Sequence, residues 1–227
     1  MSCCCAPNRA AVDGTNEFFN AQARRLEKQF KKKGLRKEQK YLVEGIRHSG
    51  MHDAEILEIG CGVGGLHLSL LKEGAAKATG FDISEKMIAS AQKLSREMEL
   101  QDRAQYWHGD FVTMHDNAPA ADVTILDKVI CCYENAPQLI ALSTAKTRRI
   151  YAVSYPRQNA FVRFMFRNAK YFLKLFGQSF HPYYHEPKQV QQWIAETGFE
   201  KVYENETIVW LIQIFQRQRE SQNKITR

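Results

Sequence analysis

Residues 56–67 read Ile-Leu-Glu-Ile-Gly-Cys-Gly-Val-Gly-Gly-Leu-His, an apolar run that breaks into a cluster of glycines. The apolar residues predict a buried strand, and the glycines predict a tight turn where the backbone approaches a ligand closely. Residues 66–72 then predict a helix. A strand, a glycine turn and a helix in this order are typical of a nucleotide-binding loop, whereas an isolated Gly-x-Gly is not specific.

The composition predicts a single well-buried domain, because the chain has 227 residues of which 44% are hydrophobic. No apolar run reaches the length needed to cross a bilayer, and the first residues lack the apolar core of a signal peptide. We therefore expect a soluble, cytoplasmic protein without a transmembrane segment.

The six cysteines are clustered as Cys3-Cys4-Cys5, Cys61 and Cys131-Cys132, which does not resemble the disulfide framework of a secreted protein. We expect reduced thiols. The three cysteines near the N-terminus lack a second group of ligands, so we predict no metal site.

The net charge of +7 is concentrated in residues 24–40, where nine basic residues stand against Glu27 and Glu38. Such a patch is typical of a nucleic-acid site, an anionic membrane site or a site for an acidic substrate. It is equally compatible with the solvated face of a helix.

The chain order predicts a tail over residues 1–12 and one domain over 13–227. Residues 13–50 predict a helical cap of two helices, the first ending at Gly34 and the second at about Gly50. Four further strands, each but the last followed by an acidic residue or by Gly-Asp, alternate with helices and predict an open parallel sheet with helices on both faces. These strands are residues 76–81, 104–108, 122–126 and 150–154.

The last third departs from this repeat. Residues 159–176 predict an apolar helix with a basic stripe, and residues 180–185 form a loop rich in aromatic and histidine residues. A helix over residues 186–197 and two strands through about Phe215 follow. The link between these two strands is too short for a parallel crossover, so they must be antiparallel.

Two kinds of nucleotide site are compatible with the glycine turn. A dinucleotide site has Gly-x-Gly-x-x-Gly and places the pyrophosphate on a helix N-terminus. Here the spacing is Gly60-x-Gly62-x-Gly64, and Glu58 precedes it within the strand. A carboxylate there would repel a pyrophosphate but would suit a cation, so the pattern favours a nucleoside that carries an amino acid.

The set formed by Glu58 to Gly64, Asp82, Gly109-Asp110 and Asp127 resembles the motifs of class I S-adenosylmethionine-dependent methyltransferases. The resemblance implies a Rossmann-like α/β fold with a mainly parallel seven-stranded sheet, a terminal antiparallel hairpin and helical caps at 13–50 and 157–186. It implies S-adenosylmethionine as the cofactor and S-adenosylhomocysteine as the product.

The resemblance also assigns cofactor-binding residues by position. Glu58 and the backbone of the glycine turn would hold the methionine part, Asp82 the ribose hydroxyls, and Asp110 the adenine amino group. The cofactor-binding residues implied are Glu58, Gly60, Cys61, Gly62, Gly64, Asp82, Ile83, Met87, Gly109, Asp110, Phe111 and Asp127.

The acceptor is less well defined by these motifs. In this fold the chain after the fourth strand passes the transferable methyl group, so Cys132 and Tyr133 are candidates to line the acceptor site. His181 and His185 are candidates for a base or for orienting an anionic acceptor, although packing roles are equally compatible. We predict Tyr133 and His185 as catalytic residues.

A second resemblance, carried by the Phe18-Phe19-Asn20 start, the run from Asp127 to Tyr133 and Tyr155-Pro156-Arg157, is to bacterial relatives of magnesium-protoporphyrin O-methyltransferase. It implies a large or hydrophobic acceptor under the two caps. We expect methyl transfer to oxygen or sulfur of a small or medium-sized, anionic and partly hydrophobic molecule, with the basic N-terminal helices closing over the cofactor.

Three alternatives stay open. A nucleic-acid methyltransferase would explain the basic segment, but the exit of the fourth strand reads Asp-Lys-Val-Ile and lacks the Asn/Asp-Pro-Pro-Tyr/Phe pattern of base-methylating enzymes. The protein could instead bind S-adenosylmethionine without catalysis. A peripheral membrane contact through residues 161–176 is the third. The sequence does not define an oligomeric state.

Overall fold

The computed structural model describes residues 9–175 and 180–218. Two helices begin the chain, five strands then alternate with helices, and a helix pair and a hairpin complete it. The elements are α1 (Arg9–Lys33), α2 (Lys37–His48), β1 (Glu55–Ile59), α3 (Gly65–Lys72), β2 (Lys77–Asp82), α4 (Glu85–Glu97), β3 (Ala104–His108), α5 (Phe111–Met114), β4 (Ala121–Asp127), α6 (Ala136–Ala145), β5 (Thr147–Pro156), α7 (Ala160–Leu175), α8 (Pro187–Ala195), β6 (Phe199–Glu206) and β7 (Trp210–Arg217).

The strands form one seven-stranded sheet in the order β3-β2-β1-β4-β5-β7-β6. Neighbouring pairs among β1 to β5 are parallel, whereas β7 runs antiparallel to both β5 and β6. The predicted parallel sheet and its antiparallel hairpin are confirmed. Because the strand order reverses at β1, which lies between β2 and β4, a crevice opens beyond the carboxyl ends of β1 and β4.

Alternation along β1 separates two core layers. Ile56 belongs to the apolar cluster that contains Leu66 and Leu70 of α3, whereas Leu57 belongs to the cluster on the other side of the sheet, which contains Leu139 of α6. Successive strand side chains point to opposite faces, so Glu58 shares the face of Ile56 and points toward α3. This alternation decides where the buried carboxylate lies.

The N-terminal cap begins earlier than predicted. Helix α1 starts at Arg9, so the tail expected over residues 1–12 is wrong for its last part; the alanines at 10 and 11 favour helix, although no apolar stripe marks them. Residues 1–8, and with them Cys3, Cys4 and Cys5, lie outside the described residues. Gly34 ends α1 as predicted, with φ of +66° and its N–H bonded to the Phe30 carbonyl oxygen at 2.7 Å.

Two helices between the strands, α5 and α6, have no counterpart among the sequence predictions. Helix α6 reads Ala-Pro-Gln-Leu-Ile-Ala-Leu-Ser-Thr-Ala and lacks the separate polar face that marks an amphipathic helix. The thiols of Cys61, Cys131 and Cys132 are free. In the part of the chain that the structure describes, no helix is long and apolar enough to span a membrane.

Helix α7 packs by one face and exposes the other. Val162 and Phe166 are buried in a small cluster with Cys131, and the Phe166 ring meets the Trp210 ring edge-on at 6.2 Å. Phe161 and Phe164, on the opposite face, are 63% and 69% exposed. The helix matches the predicted 159–176, of which residue 176 lies outside the described residues.

Candidate functional site

A cavity of about 510 Å³ lies at the carboxyl ends of β1, β2 and β4, beneath α1. All the cofactor-binding residues predicted from the sequence line it except Gly64, and Tyr133 lines it as well. The predicted strand-end residues therefore come together in one crevice, as parallel strands require.

The glycine turn needs its glycines for two reasons. Gly60, Gly62 and Gly64 adopt φ of +66°, +53° and +80°, a left-handed region that L-residues with a Cβ disfavour. A Cβ on Gly60 would also stand 2.5 Å from Cγ2 of Val129. Gly64, which does not line the cavity, is the residue from which α3 starts.

Glu58 is buried beneath this turn, with 2% of its surface exposed. Its Oε2 accepts hydrogen bonds from Nδ1 of His67 at 2.6 Å and from the His67 backbone N–H at 3.2 Å. Burial raises the pKa of the Glu58 carboxyl, and the hydrogen bonds from His67 oppose that rise. Sequence reasoning did not single out His67, because a buried histidine on a helix has no signal of its own.

Asp82 ends β2 and ties the turn to the next helix. Its Oδ2 accepts from the Gly62 N–H at 2.7 Å, and its Oδ1 accepts from the Ser84 N–H at 2.8 Å. Burial raises the pKa of the Asp82 carboxyl to about 6, although both backbone hydrogen bonds favour the ionised form. Each oxygen keeps a second lone pair for a ligand hydroxyl.

Asp110 carries an unused acceptor. Its Oδ1 accepts from the Val112 N–H at 3.1 Å and from the Tyr133 hydroxyl at 2.5 Å. Its Oδ2 is buried and has no hydrogen-bond partner among the described residues. Because buried polar atoms are normally paired, this oxygen fits a ligand that donates a hydrogen bond there.

The predicted catalytic residues are arranged differently from the expectation. The Tyr133 hydroxyl is committed to Asp110, and burial together with that carboxylate raises the Tyr133 pKa far above the usual value. His185 does not line the cavity; its Nε2 donates to the Tyr133 carbonyl oxygen at 2.8 Å, and burial lowers its pKa. The catalytic assignment of both residues stays a prediction, which this geometry does not support.

The two remaining acceptor candidates also differ from each other. Cys132 lines the cavity, and a contact with the Cys131 thiol together with burial raises the pKa of its own thiol, which disfavours a reactive thiolate. His181 does not line the cavity; its ring lies 4.8 Å from that of Tyr183, which does.

Asp127, at the end of β4, joins the sheet to α2. Its Oδ1 accepts from the Ser154 hydroxyl at 2.6 Å, and its Oδ2 accepts from Nε2 of Gln39 at 2.9 Å. The next residue, Lys128, has φ of +63° and pairs with Glu38 at 2.6 Å. Sequence reasoning missed Gln39, Glu38 and Lys128, because their partners are distant along the chain.

Helix α1 roofs the cavity with apolar side chains. Phe19, Leu26 and Phe30 line it, as does Arg36 at the start of α2. The Phe18 ring stacks on Phe180 at 4.6 Å, so the roof meets the loop that follows α7. Helix α1 therefore covers the cavity, and the loop after α7 reaches it through Tyr183.

These residues fit S-adenosylmethionine. The unpaired Asp110 Oδ2 suits the adenine amino group, the second lone pairs of Asp82 suit the ribose hydroxyls, and the left-handed glycines leave space for the amino-acid part beside Glu58. Metal coordination has no comparable support: the described residues contain no group of three His, Cys, Asp or Glu side chains placed to hold an ion.

Comparison with known families and structures agrees with this geometry. Residues 56–149 match a family model described as a methyltransferase domain. No curated protein sequence matches the chain. Among solved structures, magnesium protoporphyrin IX methyltransferase from Synechocystis with bound S-adenosylmethionine aligns over 94% of this chain and 99% of its own, with 18% identity and a TM-score of 0.66.

A second structure is similar at lower sequence identity. Geranyl diphosphate C-methyltransferase from Streptomyces coelicolor, in complex with Mg²⁺, geranyl diphosphate and S-adenosylhomocysteine, aligns over 94% of this chain and 100% of its own, with 10% identity and a TM-score of 0.71. Residues 56–149 of the chain thus form a methyltransferase domain, and the chain has the fold of the class I S-adenosylmethionine-dependent methyltransferases.

Proposed function

We propose that the protein transfers the methyl group of S-adenosylmethionine to a small or medium-sized, anionic and partly hydrophobic acceptor, on oxygen or sulfur. The observation that carries this proposal is the composition of the cavity roof. Phe19, Leu26 and Phe30 offer apolar surface, and Arg36 adds a cation on the same wall.

Arg36 is the cation best placed to receive an anionic group. Its guanidinium donates to Gln29 Oε1 at 3.2 Å, and within the described part of the chain it forms no ion pair. Lys128, the other Lys or Arg that lines the cavity in the described part of the chain, is already paired with Glu38 and lies 3.4 Å from Asp127. An acceptor carboxylate or phosphate would therefore gain most from Arg36.

Methyl transfer requires the protein mainly to position the cofactor and the acceptor. The cofactor supplies an electrophilic methyl group on a sulfonium, and an acceptor that is already an anion needs no base. Asp110 would bind the adenine amino group, Asp82 would bind the ribose hydroxyls, and Glu58 would face the cationic part. Tyr133 would act by holding Asp110 and closing the wall beside the adenine.

A scan of acids, thiols and phenols with cofactor labelled in the methyl group tests the proposal. For an acceptor found in this way, Arg36→Gln should raise KM about tenfold or more while the cofactor Kd stays unchanged, and Arg36→Lys should lie between the two. Transfer confined to uncharged acceptors would contradict the proposed substrate class. Cofactor binding without transfer to any acceptor would favour a non-catalytic binding protein.

A nucleic-acid substrate has weaker support. Part of the basic segment is engaged within the protein, since Lys31 pairs with Glu97 at 2.6 Å and Glu27 lies 3.1 Å from Lys31. RNA binding that kept a sequence preference at moderate salt would favour that function instead.

Peripheral membrane contact has one structural observation in its favour. The outward face of α7 carries Phe161, Phe164 and Tyr171, each more than half exposed, next to Arg163 and Arg167. Such a face suits an anionic lipid surface. Sedimentation with anionic vesicles that is lost in Phe161→Ser/Phe164→Ser would support the contact, and no sedimentation of the unaltered protein would exclude it.

A further inference from the structure

A hydrogen-bonded row of three side chains, two of them buried and the third, Tyr106, partly buried, runs beneath the glycine turn. Oε2 of Glu58 on β1 meets Nδ1 of His67 on α3 at 2.6 Å, and Nε2 of the same imidazole lies 3.0 Å from the Tyr106 hydroxyl on β3. His67 has no exposed surface. This row of side chains therefore connects two strands and a helix, and its central residue has no contact with solvent.

The imidazole ring of His67 packs against the glycine turn. His67 is the third residue of α3, and a Cβ on Gly64 would stand 3.1 Å from both Cε1 and Nε2 of the imidazole. The His67 backbone N–H, one of the free amides of the first helical turn, also donates to Glu58. His67 thus fixes the orientation of the Glu58 carboxylate through two hydrogen bonds, one from its ring and one from its backbone N–H.

Glu58 needs this support because its surroundings oppose ionisation. Burial disfavours the carboxylate, and the nearby Asp127 carboxylate does so too, while Glu58 in turn disfavours the ionised forms of Asp82 and Cys61. In the described part of the chain, no Lys or Arg pairs with Glu58, and its close polar side-chain neighbour is His67, at 2.6 Å. The Nδ1–H and the helix amide are the groups that compensate the charge.

We propose that His67 is a positioning residue that holds Glu58 as an oriented anion at the cavity wall, and that through it the site discriminates the cationic sulfonium of S-adenosylmethionine from the neutral thioether of S-adenosylhomocysteine. Tyr106 donates to Nε2 and so keeps the Nδ1 proton directed at Glu58. The inference rests on the proposed cofactor. It adds a residue outside the cavity lining that governs preference between substrate and product.

The two ligands share adenine, ribose and amino acid and differ by the methyl group and its positive charge, so a change in the ratio of their Kd values between variants reports how the protein interacts with that methylsulfonium group. Calorimetric titration of both ligands into the full chain should give, for Glu58→Gln, a ratio shifted about tenfold toward S-adenosylhomocysteine. His67→Leu should shift the ratio in the same direction. His67→Asn, whose amide can donate a hydrogen bond in place of Nδ1–H, should return the Kd ratio most of the way to that of the unaltered protein.

His115→Leu is the control, because the His115 ring bonds the Val112 carbonyl oxygen at 3.0 Å instead of Glu58 and the residue lies outside the cavity lining. Its Kd ratio should equal that of the unaltered protein. A His67→Leu protein that weakens both ligands equally would show a merely structural role and overturn the inference. Should that variant not fold, an unchanged ratio in Glu58→Gln would overturn it equally, whereas failure of the unaltered protein to bind either ligand would contradict the proposed function.

Discussion

The floor and the roof of the cavity are held by different forces. In the floor, Asp82 and Asp110 are 8% and 7% exposed and accept hydrogen bonds from backbone N–H groups of the adjoining turns. In the roof, α1 is held to α4 by Lys31 with Glu97, whose side chains are 38% and 42% exposed, and by Lys93 with Glu27, whose side chains are 53% and 12% exposed.

This difference in bonding and exposure indicates which part of the cavity can move. A hydrogen bond to a buried charge contributes about 1.5–3 kcal/mol, whereas an exposed ion pair contributes about 0–1 kcal/mol. We therefore expect a preformed floor and a roof that opens to admit cofactor and acceptor. Substitutions in the floor and in the roof test whether the two parts differ in this way.

Gly60→Ala should give the largest effect, since the new Cβ would meet Val129 at 2.5 Å in a left-handed backbone. Strain and overpacking together should cost about 2–5 kcal/mol of unfolding free energy. Gly62→Ala is the control, because its φ is also positive but no atom lies within 4 Å of its Cβ. Denaturant unfolding of both variants measures the difference, and equal losses would contradict the steric argument.

Asp110→Asn should weaken S-adenosylmethionine binding by about 10- to 100-fold, because an amide N–H₂ would face the adenine amino group in place of the free Oδ2. Tyr133→Phe keeps the carboxylate and removes only the hydroxyl bond, so its effect should be smaller. Calorimetry measures both Kd values. If the two variants bound equally well, Asp110 would not contact the adenine.

Lower pH should weaken cofactor binding through Asp82, whose pKa is raised to about 6 by burial. Protonation removes an acceptor for the ribose hydroxyls, so affinity should fall about tenfold between pH 7 and pH 5. The pH dependence of folding stability runs the other way. The contribution of Asp82 to the free energy of unfolding is fully present below the ordinary pKa of 3.8 and is lost as the pH rises through about 6. Asp82→Asn should bind weakly at both pH values and show a flatter profile.

Lys31→Ala should change unfolding free energy by less than about 1 kcal/mol. It should nevertheless speed dissociation of S-adenosylhomocysteine a few-fold at low salt, because the roof loses its tie to Glu97. The control is Lys28→Ala, an exposed lysine of α1 that forms no ion pair within the described residues. Stopped-flow displacement compares the two rates, and identical rates would mean that this ion pair does not restrain the roof.

Much of the floor could be predicted from the sequence, because its signals are local. Glycines after an apolar strand and acidic residues at successive strand ends indicate the same edge of a parallel sheet. Gly60, Asp82 and Asp110 accordingly lie in one cavity, as predicted. The start of α1 at Arg9 and the helix α6 were not predicted, because neither carries a periodic apolar stripe.

The fold class could be derived from the sequence alone, since it follows from the periodicity of apolar residues and from motif spacing, and the same local signals predicted the edge of the sheet at which the cavity lies. The hydrogen-bond partners and the cavity lining became known from the tertiary structure alone. It shows that Glu58 bonds to His67, that Asp110 has an oxygen without a partner among the described residues, and that His185 lies outside the cavity. The physical reason is that burial and hydrogen-bond partners depend on which distant segments meet, and residue type alone does not encode this.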